Sequence, residues 1–346
     1  MIKIGVISPA DIAFRRFMPA ILKNKNFQYI GLAMYSRAER FLDERLSLNE
    51  QNIILQKEKQ KAEKFVSTYG GKLYNSYSEL INSDEVDAIY LPLPPALHYP
   101  YAQKILSQRK HLLLEKPATI QAYHSQELLK QAKANELALC ENYMFIYHKQ
   151  IKEIKRIMSE ESLGDIRLLS MKFGFPERAA DDFRYKRDMG GGALFDAGGY
   201  PVKLATTLMG DTSQVICSCL NTIPGYEVDM YGNATLVNEQ GITAQIAFGM
   251  DNEYRCELEL WGSQGTFRTG RIFTAPEDLM TVGTIVRAGV ENILELGRDN
   301  AFANSIQHFY DCIYDLEKRE HEYREIELQA KLIQNIYEKG KKFEAR

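Results

Sequence analysis

The chain contains few cysteines and has no excess of charge of either sign. Its 346 residues include five Cys and one Trp, too few cysteines for a disulfide-rich scaffold. There are 43 Lys and Arg residues against 46 Asp and Glu, for a net charge of −3. The protein therefore lacks the basic field that attracts nucleic acid or an anionic membrane. We expect small-molecule partners.

Long apolar runs are also missing. The most apolar stretches, residues 88–93 and 112–114, have the length of strands and fall far short of the ~20 residues that span a bilayer. The N-terminus enters a strand pattern without the basic flank and long apolar core of a secretory signal. We therefore predict no membrane association and a cytoplasmic location.

The cysteines form no recognisable metal or redox motif. Only Cys217 and Cys219 are close in the sequence, and they are separated by a single residue. Zinc and redox motifs place two or more residues between their cysteines. We predict reduced thiols and no metal site.

The first part of the chain alternates strand and helix patterns. Helical spacing is found at 13–22 and 121–135, and the long charged stretch 38–67 is interpreted as a helix preceded by a surface insertion. Strands separated by helices predict right-handed βαβ units in a parallel sheet, as in a Rossmann domain. The strands expected from apolar and β-branched runs are 3–7, 29–34, 86–93, 111–114 and 138–143.

After residue 143 the pattern changes. Runs rich in Val, Ile, Thr and Tyr occupy residues 213–273 and are separated by turn signals, which predicts a meandering antiparallel sheet. We therefore predict an α/β protein with a Rossmann domain at 1–145. An α+β domain with a large open, mainly antiparallel sheet follows at 146–346, for substrate binding and oligomerisation, and its C-terminal helix could pack back on the first domain. Helices are expected at 151–159, 189–210, 301–315 and 326–342.

The first strand leads into a turn that suits a dinucleotide. In parallel sheets of this kind the pyrophosphate binds at the N-terminus of the following helix. Ser8 and Ala10 occupy positions where the usual fingerprint has glycine, so the motif alone fits a plain strand-to-helix turn equally well. The predicted contacts are Gly5, Ser8, Pro9, Ala10, Asp11 and Ile12.

The second strand ends without the acidic residue that holds the ribose of NAD. Ser36 and Arg37 follow it instead. Arg offers positive charge and a bidentate fork for a 2′-phosphate. This favours NADP(H), with NAD(H) as the second cofactor, over the alternative that Arg37 is an ordinary solvated residue at a helix start.

Two later strands end in motifs of their own. One is followed by Leu93, Pro94, Leu97 and His98, and the other by Glu115-Lys116-Pro117, and all seven residues are predicted cofactor contacts. Ligands of open α/β sheets bind at the carboxyl ends of the strands. The sequence thus places a lysine at the expected rim, although a solvated lysine is the default for so short a motif.

A glycine-rich entry at Gly190 precedes an apolar helix that carries Asp196 and Tyr200. These residues are four positions apart and would share one face of an α-helix. A tyrosine close to a lysine ammonium is a known proton donor, because the positive charge lowers the phenol pKa. The alternatives are that Asp196 only caps the helix and that Tyr200 only fills the core.

Together these motifs resemble the Gfo/Idh/MocA family of NAD(P)-dependent oxidoreductases over most of the chain. Tyr200 stands where inositol and polyol members have His, so the chain is similar to the branch of glucose-fructose oxidoreductase, dimeric dihydrodiol dehydrogenase and nucleotide-sugar 3-ketoreductases. It departs from the family at Ser8 and at Pro95, where Asn is common. The shared stretches are the glycine turn, Pro94 with Leu97-His98, Glu115-Lys116-Pro117, Glu141 with His148, 190–200 and 261–265, and those closest to the ketoreductases are 10–19, 182–185 and 250–255.

The resemblance implies a sugar oxidoreductase, with Tyr200 as proton donor, Lys116 polarising the substrate oxygen and Asp196 orienting the substrate or the lysine. It implies that the substrate is a sugar or hydroxy-ketone, such as a nucleotide-linked 3-keto sugar. Separately, the near-continuous apolar run at 242–248 predicts an exposed apolar patch on the C-terminal sheet, and therefore a homodimer or dimer of dimers, unless helices of the same chain cover both faces. Oxidation of dihydrodiols or aldoses is the alternative within enzymes, and a non-catalytic sugar or cofactor sensor the alternative outside them. Further implied contacts are Arg184 for the cofactor and Tyr143, Tyr185 and Tyr254 for the substrate.

Overall fold

Two compact units make up the chain. The computed structural model describes residues 1–41, 46–160 and 163–344, so residues 42–45 of the predicted insertion lie outside the described residues. The first unit comprises Met1–Ala118, Tyr123–Asn142 and Ser305–Tyr323. The second comprises Thr119–Ala122, Tyr143–Asn304 and the chain from Arg324. Each unit is therefore assembled from segments that are separated in the sequence.

The strands and helices are numbered in chain order. The strands are β1 (Ile2–Ile7), β2 (Phe27–Ala33), β3 (Lys72–Tyr74), β4 (Ala88–Leu91), β5 (His111–Leu114), β6 (Leu139–Glu141), β7 (Ile166–Gly174), β8 (Gln214–Thr222), β9 (Tyr231–Val237), β10 (Thr243–Gly249), β11 (Arg255–Gly262), β12 (Thr266–Gly270), β13 (Thr281–Arg287), β14 (Val290–Gly297) and β15 (Lys341–Glu344). The helices are α1 (Met18–Ile21), α2 (Arg37–Arg40), α3 (Leu48–Tyr69), α4 (Tyr77–Ile81), α5 (His98–Ser107), α6 (Ala122–Ala134), α7 (Lys149–Ser159), α8 (Gly199–Met209), α9 (Ala301–Tyr314) and α10 (Leu316–Lys339).

The first unit holds a parallel sheet. Within the described residues its strand order is β3-β2-β1-β4-β5-β6, and every neighbouring pair is parallel. All four residues of β4 are buried, as expected for a strand covered on both faces. This confirms the predicted Rossmann architecture. β3 was not predicted, because a strand of three residues has too few positions to show a periodicity.

The predicted helix of the insertion is α3, and it begins at Leu48. Ser47 and Glu50 form a capping box at its N-terminus, which satisfies backbone N–H groups that have no partner within the helix. Its buried apolar residues are Ala62 and Phe65. The ring of Phe65 packs edge-on against that of Phe14. This contact holds α3 in place within the first unit.

The second unit contains a large, mainly antiparallel sheet, as predicted. Its order in the described residues is β14-β13-β12-β11-β7-β10-β9-β8-β15. The predicted meander at 213–273 is divided in two, because β7 lies between β11 and β10 and runs parallel to β10. Strand periodicity indicates which residues form strands but carries no information about which strands pair.

One face of this sheet packs on helices and the other is open to solvent. Leu169, Met171 and Phe173 of β7 belong to the buried core, together with Val202 and Leu204 of α8. The intervening residues of β7 are half-buried or exposed, as are those opposite them on β10, β11 and β12. We call the surface they form the open face.

The apolar run at residues 242–248 does not supply the exposed patch that the sequence predicts. Ala244, Ile246 and Phe248 point into the core, whereas Thr243 and Gln245 lie on the open face. The reason is the two-residue period of a strand, which sends alternate side chains to opposite faces. Among the described residues, no helix is long and apolar enough to cross a membrane.

Candidate active site

The turn after β1 has the backbone geometry of a dinucleotide-binding turn. Ser8 has a φ of +70°, the left-handed conformation for which glycine is usually selected. Its N–H donates to the carbonyl of Ala33 at 2.8 Å. Helical structure begins at Asp11, so the predicted contacts Pro9 to Ile12 lie at a helix start. The serine therefore adopts the left-handed conformation that the fingerprint glycine usually supplies.

Ser36 is fixed at the end of β2 by an acidic residue. It caps α2, and its N–H and hydroxyl donate to Glu39 at 2.9 and 3.0 Å. The same carboxylate accepts three further hydrogen bonds from the backbone of Tyr77 and from Ser78. Although burial opposes it, these bonds hold the pKa of Glu39 below its usual value. Glu39 therefore remains ionised and links the loop after β2 to the loop after β3.

Arg37 is held by α3. Its guanidinium donates to the side-chain oxygen of Gln51 at 2.8 Å and to that of Asn52, both on α3. These partners are neutral amides, so they orient the guanidinium without cancelling its charge. The two amides were missed in the sequence, because nothing in their spacing relates them to Arg37.

His98 joins two loops at the carboxyl end of the first sheet. Its side chain is buried, and the ring nitrogens lie 2.8 Å from the carbonyl oxygen of Pro117 and 2.7 Å from that of Leu93. Both contacts are hydrogen bonds only when both nitrogens carry a proton, and burial opposes this by lowering the pKa of His98 to about 4. The predicted cofactor residue His98 thus positions the loops that carry Pro94 and Lys116.

Lys116 follows β5 at the expected rim of the sheet and is half-buried. The preceding Glu115 is anchored below it, accepting from the Tyr90 hydroxyl at 2.6 Å and from the Asn142 amide at 2.7 Å. Ser305 in turn donates to Asn142 at 2.6 Å. Burial raises the pKa of Glu115. This network fixes the backbone from which the lysine projects.

In the second unit, Asp229 accepts hydrogen bonds from the backbone that follows the glycine-rich segment 190–192. The N–H of Ala193 donates to its carbonyl at 2.8 Å and the N–H of Leu194 to its carboxylate at 2.7 Å. Gly192 has a φ of +121°, and a Cβ there would collide with Oδ1 of Asp229. Only glycine lets the backbone come this close to the Asp229 carboxylate. The contact fixes the start of the segment that carries Asp196 and Tyr200.

Replacing Gly192 with alanine should therefore destabilise the protein. We expect a loss of about 2–4 kcal/mol of unfolding free energy, from the unfavourable φ and the collision together. Gly225 is a matched control, since its φ is +92° but a Cβ there meets nothing within 4 Å, and Gly225→Ala should cost only about 1 kcal/mol. Denaturant unfolding measures both. Equal losses would contradict the role assigned to Asp229.

Asp196 is paired with a residue that the sequence analysis assigned to the cofactor. Nε of Arg184 donates to Asp196 at 2.7 Å, and its Nη1 to Asp182 at 3.1 Å. Although burial lowers it, the two carboxylates raise the pKa of Arg184 above its ordinary value. In this structure Arg184 orients Asp196, an arrangement that sequence spacing did not indicate.

Tyr200 lies in an aromatic cluster. Its ring is perpendicular to that of Tyr143 at 5.3 Å and lies 5.0 Å from that of Phe173, with Phe145 and Phe273 beyond at 5.7 and 5.9 Å. Such contacts hold a ring in one orientation. The structure thus brings together the predicted catalytic Tyr200 and the predicted substrate residue Tyr143.

The predicted α-helical relation between Asp196 and Tyr200 needs correction. Leu194–Gly198 is a π-helical turn, and α8 begins only at Gly199. A π turn adds about one residue per turn, so residues four apart no longer align as in an α-helix. A Cβ at Gly199 would collide with the Tyr143 hydroxyl, so this glycine lets the segment pack closely on Tyr143.

The other two predicted substrate residues have separate surroundings. Tyr185 is buried, and its hydroxyl accepts from the N–H of Arg178 at 2.7 Å. The Tyr254 hydroxyl lies 2.8 Å from that of Thr274 and accepts from Arg271 at 3.0 Å. Tyr254 also lines a cavity of about 690 Å³ on the open face, beside Lys172 and Arg268.

Comparison with known proteins agrees with this architecture. Residues 25–143 match the model of an oxidoreductase family with an NAD-binding Rossmann fold, and residues 151–268 match that of the GFO/IDH/MocA C-terminal domain. A dTDP-3,4-didehydro-2,6-dideoxy-alpha-D-glucose 3-reductase from Actinomadura kijaniata is 33% identical over 312 residues, covering 90% of this chain and 87% of that protein. A trans-1,2-dihydrobenzene-1,2-diol dehydrogenase from Xenopus tropicalis is 30% identical over 148 residues, covering 42% of this chain and 44% of that protein.

A solved structure extends the comparison to the whole chain. The crystal structure of a 3-ketoreductase from Actinomadura kijaniata with NADP and TDP-benzene has a TM-score of 0.90 at 30% identity, and covers 100% of this chain and 99% of that one. Variants of that reductase with a tyrosine replaced by phenylalanine and a lysine replaced by alanine have been crystallised with the same ligands. These matches confirm the resemblance seen in the motifs: the chain belongs to the GFO/IDH/MocA family of oxidoreductases.

Proposed function

We propose that this protein is an NADP(H)-dependent reductase of nucleotide-linked 3-keto sugars. The observation that supports it most is the 33% identity to a dTDP-sugar 3-reductase over 90% of the chain. The diol dehydrogenase relative covers less than half of the chain, so oxidation of dihydrodiols is the weaker alternative.

The residues at the cofactor end fit a nucleotide with a 2′-phosphate. Ser8 provides the left-handed turn after β1, where backbone N–H groups at the helix start can meet a pyrophosphate. The partners of Arg37 on α3 are neutral amides, so no carboxylate among them offsets the charge that a phosphate would meet. When bound, the nicotinamide would supply or accept the hydride.

Tyr200 is assigned to proton transfer and Lys116 to polarising the substrate oxygen. The phenol suits this role because Tyr143 and Phe173 hold its ring in place. Proton transfer then changes the hydroxyl alone and requires no movement of the ring. A lysine ammonium favours the developing alkoxide and the phenolate alike. Asp196, oriented by Arg184, would contact the substrate or the lysine. Tyr143 would form part of the sugar pocket.

The direct test is a screen by absorbance of the reduced nicotinamide. A dTDP-linked 3-keto sugar, free aldoses and a dihydrodiol are each offered with NADP(H) and with NAD(H). We expect turnover of the nucleotide-linked sugar with NADPH. Turnover of the diol alone would replace the proposal with the dehydrogenase alternative. Tight NADPH binding with no turnover of any substrate would favour a sensor.

The open face of the second sheet is proposed as the surface of a homodimer. It exposes apolar side chains, among them Trp261, which is 58% exposed. Its charged residues have both signs on facing strands, since Lys172 lies opposite Glu257 and Arg268 opposite Glu259. A two-fold interface needs such a self-complementary surface. A dimer of dimers and the cytoplasmic location stay predictions from the sequence.

Sedimentation velocity at micromolar concentration should therefore give a particle of twice the chain mass. Trp261→Glu places a charge on the open face and should yield monomers. Leu48→Glu is the control, because Leu48 is 71% exposed on α3 in the first unit and its replacement should leave the dimer intact. A wild-type monomer at this concentration would contradict the proposal.

A further inference from the structure

Two cysteines, a histidine and a glutamate meet inside the first unit. Cys140 lies on β6, His308 and Cys312 lie one turn apart on α9, and Glu322 lies on α10. We call these four residues the Cys140 cluster. None of them belongs to the residues assigned above to cofactor or substrate.

Three of these side chains present their ligand atoms to one another, and Glu322 contacts one of the three. The two Sγ atoms and an imidazole nitrogen of His308 all lie within 4.8 Å of one another. Nε2 of His308 is 3.3 Å from Sγ of Cys312 and 3.0 Å from Oε2 of Glu322. The other oxygen of Glu322 accepts from the N–H of Glu141 at 3.2 Å, which fixes the carboxylate from behind.

We propose that the Cys140 cluster binds one zinc ion. Zinc–sulfur bonds of about 2.3 Å and zinc–nitrogen or zinc–oxygen bonds of about 2.0–2.1 Å place the ligands of a tetrahedral site roughly 3.3–3.8 Å apart. The ligand atoms of Cys140, His308 and Cys312 lie within 4.8 Å of one another, at most about 1.3 Å beyond these edges, and Glu322 would turn its carboxylate from His308 toward the ion. Small side-chain rotations would therefore complete the site.

The chemistry of the donors favours zinc over harder cations. Two thiolates and an imidazole suit zinc, whereas magnesium and calcium require oxygen ligands. The two cysteines and the glutamate become anions when they lose a proton, and all three are buried. A divalent cation would compensate their negative charge, which is otherwise unfavourable in the protein interior. Zinc would displace the two thiol protons, and any proton on the coordinating nitrogen of His308, to solvent.

The site would be structural. Glu322, which contacts His308, would supply the fourth ligand, and four protein ligands leave no position for a substrate. The ligands come from one strand and two helices that are far apart in the sequence, so one ion would link β6, α9 and α10. His308 is the one partly exposed member, with 19% of its side chain accessible, and offers a route for the ion.

Metal analysis of the full chain tests this proposal. The protein is expressed with added zinc, passed through a desalting column and measured by inductively coupled plasma mass spectrometry. We expect about one zinc per chain, and on the order of one-tenth of that in Cys140→Ala and His308→Ala. Cys217→Ala is the matched control, since Cys217 is exposed and outside the cluster, and should retain the ion.

A second measurement on the unmutated chain covers the case in which the variants fail to fold. Cobalt added to chelator-treated protein should produce a thiolate-to-cobalt charge-transfer band that zinc abolishes. Alkylation followed by peptide mapping should show Cys140 and Cys312 protected with zinc and modified without it. Zinc below about one-tenth per chain, no cobalt band, or a disulfide between Cys140 and Cys312 in the native protein would each overturn the proposal. None of these readouts depends on catalytic activity, so failure of the proposed reaction would leave this test unaffected.

Discussion

Replacing Tyr200 with phenylalanine is expected to lower kcat by about 10²- to 10⁴-fold, the range typical of general acid-base groups. The change removes one hydroxyl and keeps the ring that packs against Tyr143 and Phe173. Folding and NADPH binding should therefore survive. Steady-state kinetics on the substrate found by the screen, with NADPH titrated by fluorescence, separates the two effects.

Lys116→Ala should reduce kcat to a comparable extent. If the lysine and the tyrosine act on the same substrate oxygen, the double variant should lose much less than the product of the two single losses, because residues that act as a unit are not additive. Tyr310→Phe makes the same chemical change on α9 and should leave kcat near normal.

Near-normal rates for Tyr200→Phe on a verified substrate would move the proton donor elsewhere, with Asp196 or water as the next candidates. Fully multiplicative losses in the double variant would show that Lys116 and Tyr200 do not share a task. Either result would revise the mechanism while leaving the family assignment in place.

Replacing Arg37 with alanine is expected to weaken NADPH binding by roughly tenfold or more and to leave NADH binding nearly unchanged. Loss of a charged contact to a phosphate costs about 1.5–3 kcal/mol, and each 1.4 kcal/mol corresponds to about a factor of ten. Only NADPH carries the 2′-phosphate, so only its dissociation constant should respond. Fluorescence titration of both nucleotides measures the effect.

The partners of Arg37 sharpen this test. Asn52→Asp changes the shape of the side chain very little but puts a negative charge beside the guanidinium, so it should also weaken NADPH selectively. Lys59→Ala removes an exposed positive charge from the same helix, where Lys59 is 54% exposed, and should change neither constant by more than about twofold. Equal weakening of NADPH and NADH by Arg37→Ala would contradict the assignment to the 2′-phosphate.

The strands of the Rossmann sheet were predictable because their signal is local. The runs at 3–7, 29–34 and 111–114 fall within two residues of β1, β2 and β5, since a strand buried on both faces must be apolar along its whole length. Short elements such as β3 escaped prediction for lack of length. In the second unit, the sequence pattern indicated which residues form strands, but not that β7 lies in the middle of the sheet.

The candidate site likewise combines residues that could be predicted from the sequence with features that could not. Lys116 after a strand and Ser36-Arg37 after another could be predicted, because the carboxyl ends of parallel strands lie along one edge. The left-handed φ of Ser8 could not, because serine rarely adopts it. Nor could the π turn before Tyr200, which depends on how closely Gly199 packs against Tyr143.

By itself the sequence determined the fold class, the family and the residue types at the strand ends, since these follow from periodicity, composition and motif order along the chain. Only the tertiary structure decided the partners: the amides that hold Arg37, the pairing of Arg184 with Asp196, the open face of the sheet and the Cys140 cluster. Each of these joins side chains that are distant in the sequence or face a direction set by packing. Hydrogen bonds, burial and charge compensation act over a few ångströms in space, and linear spacing does not encode which segments come that close.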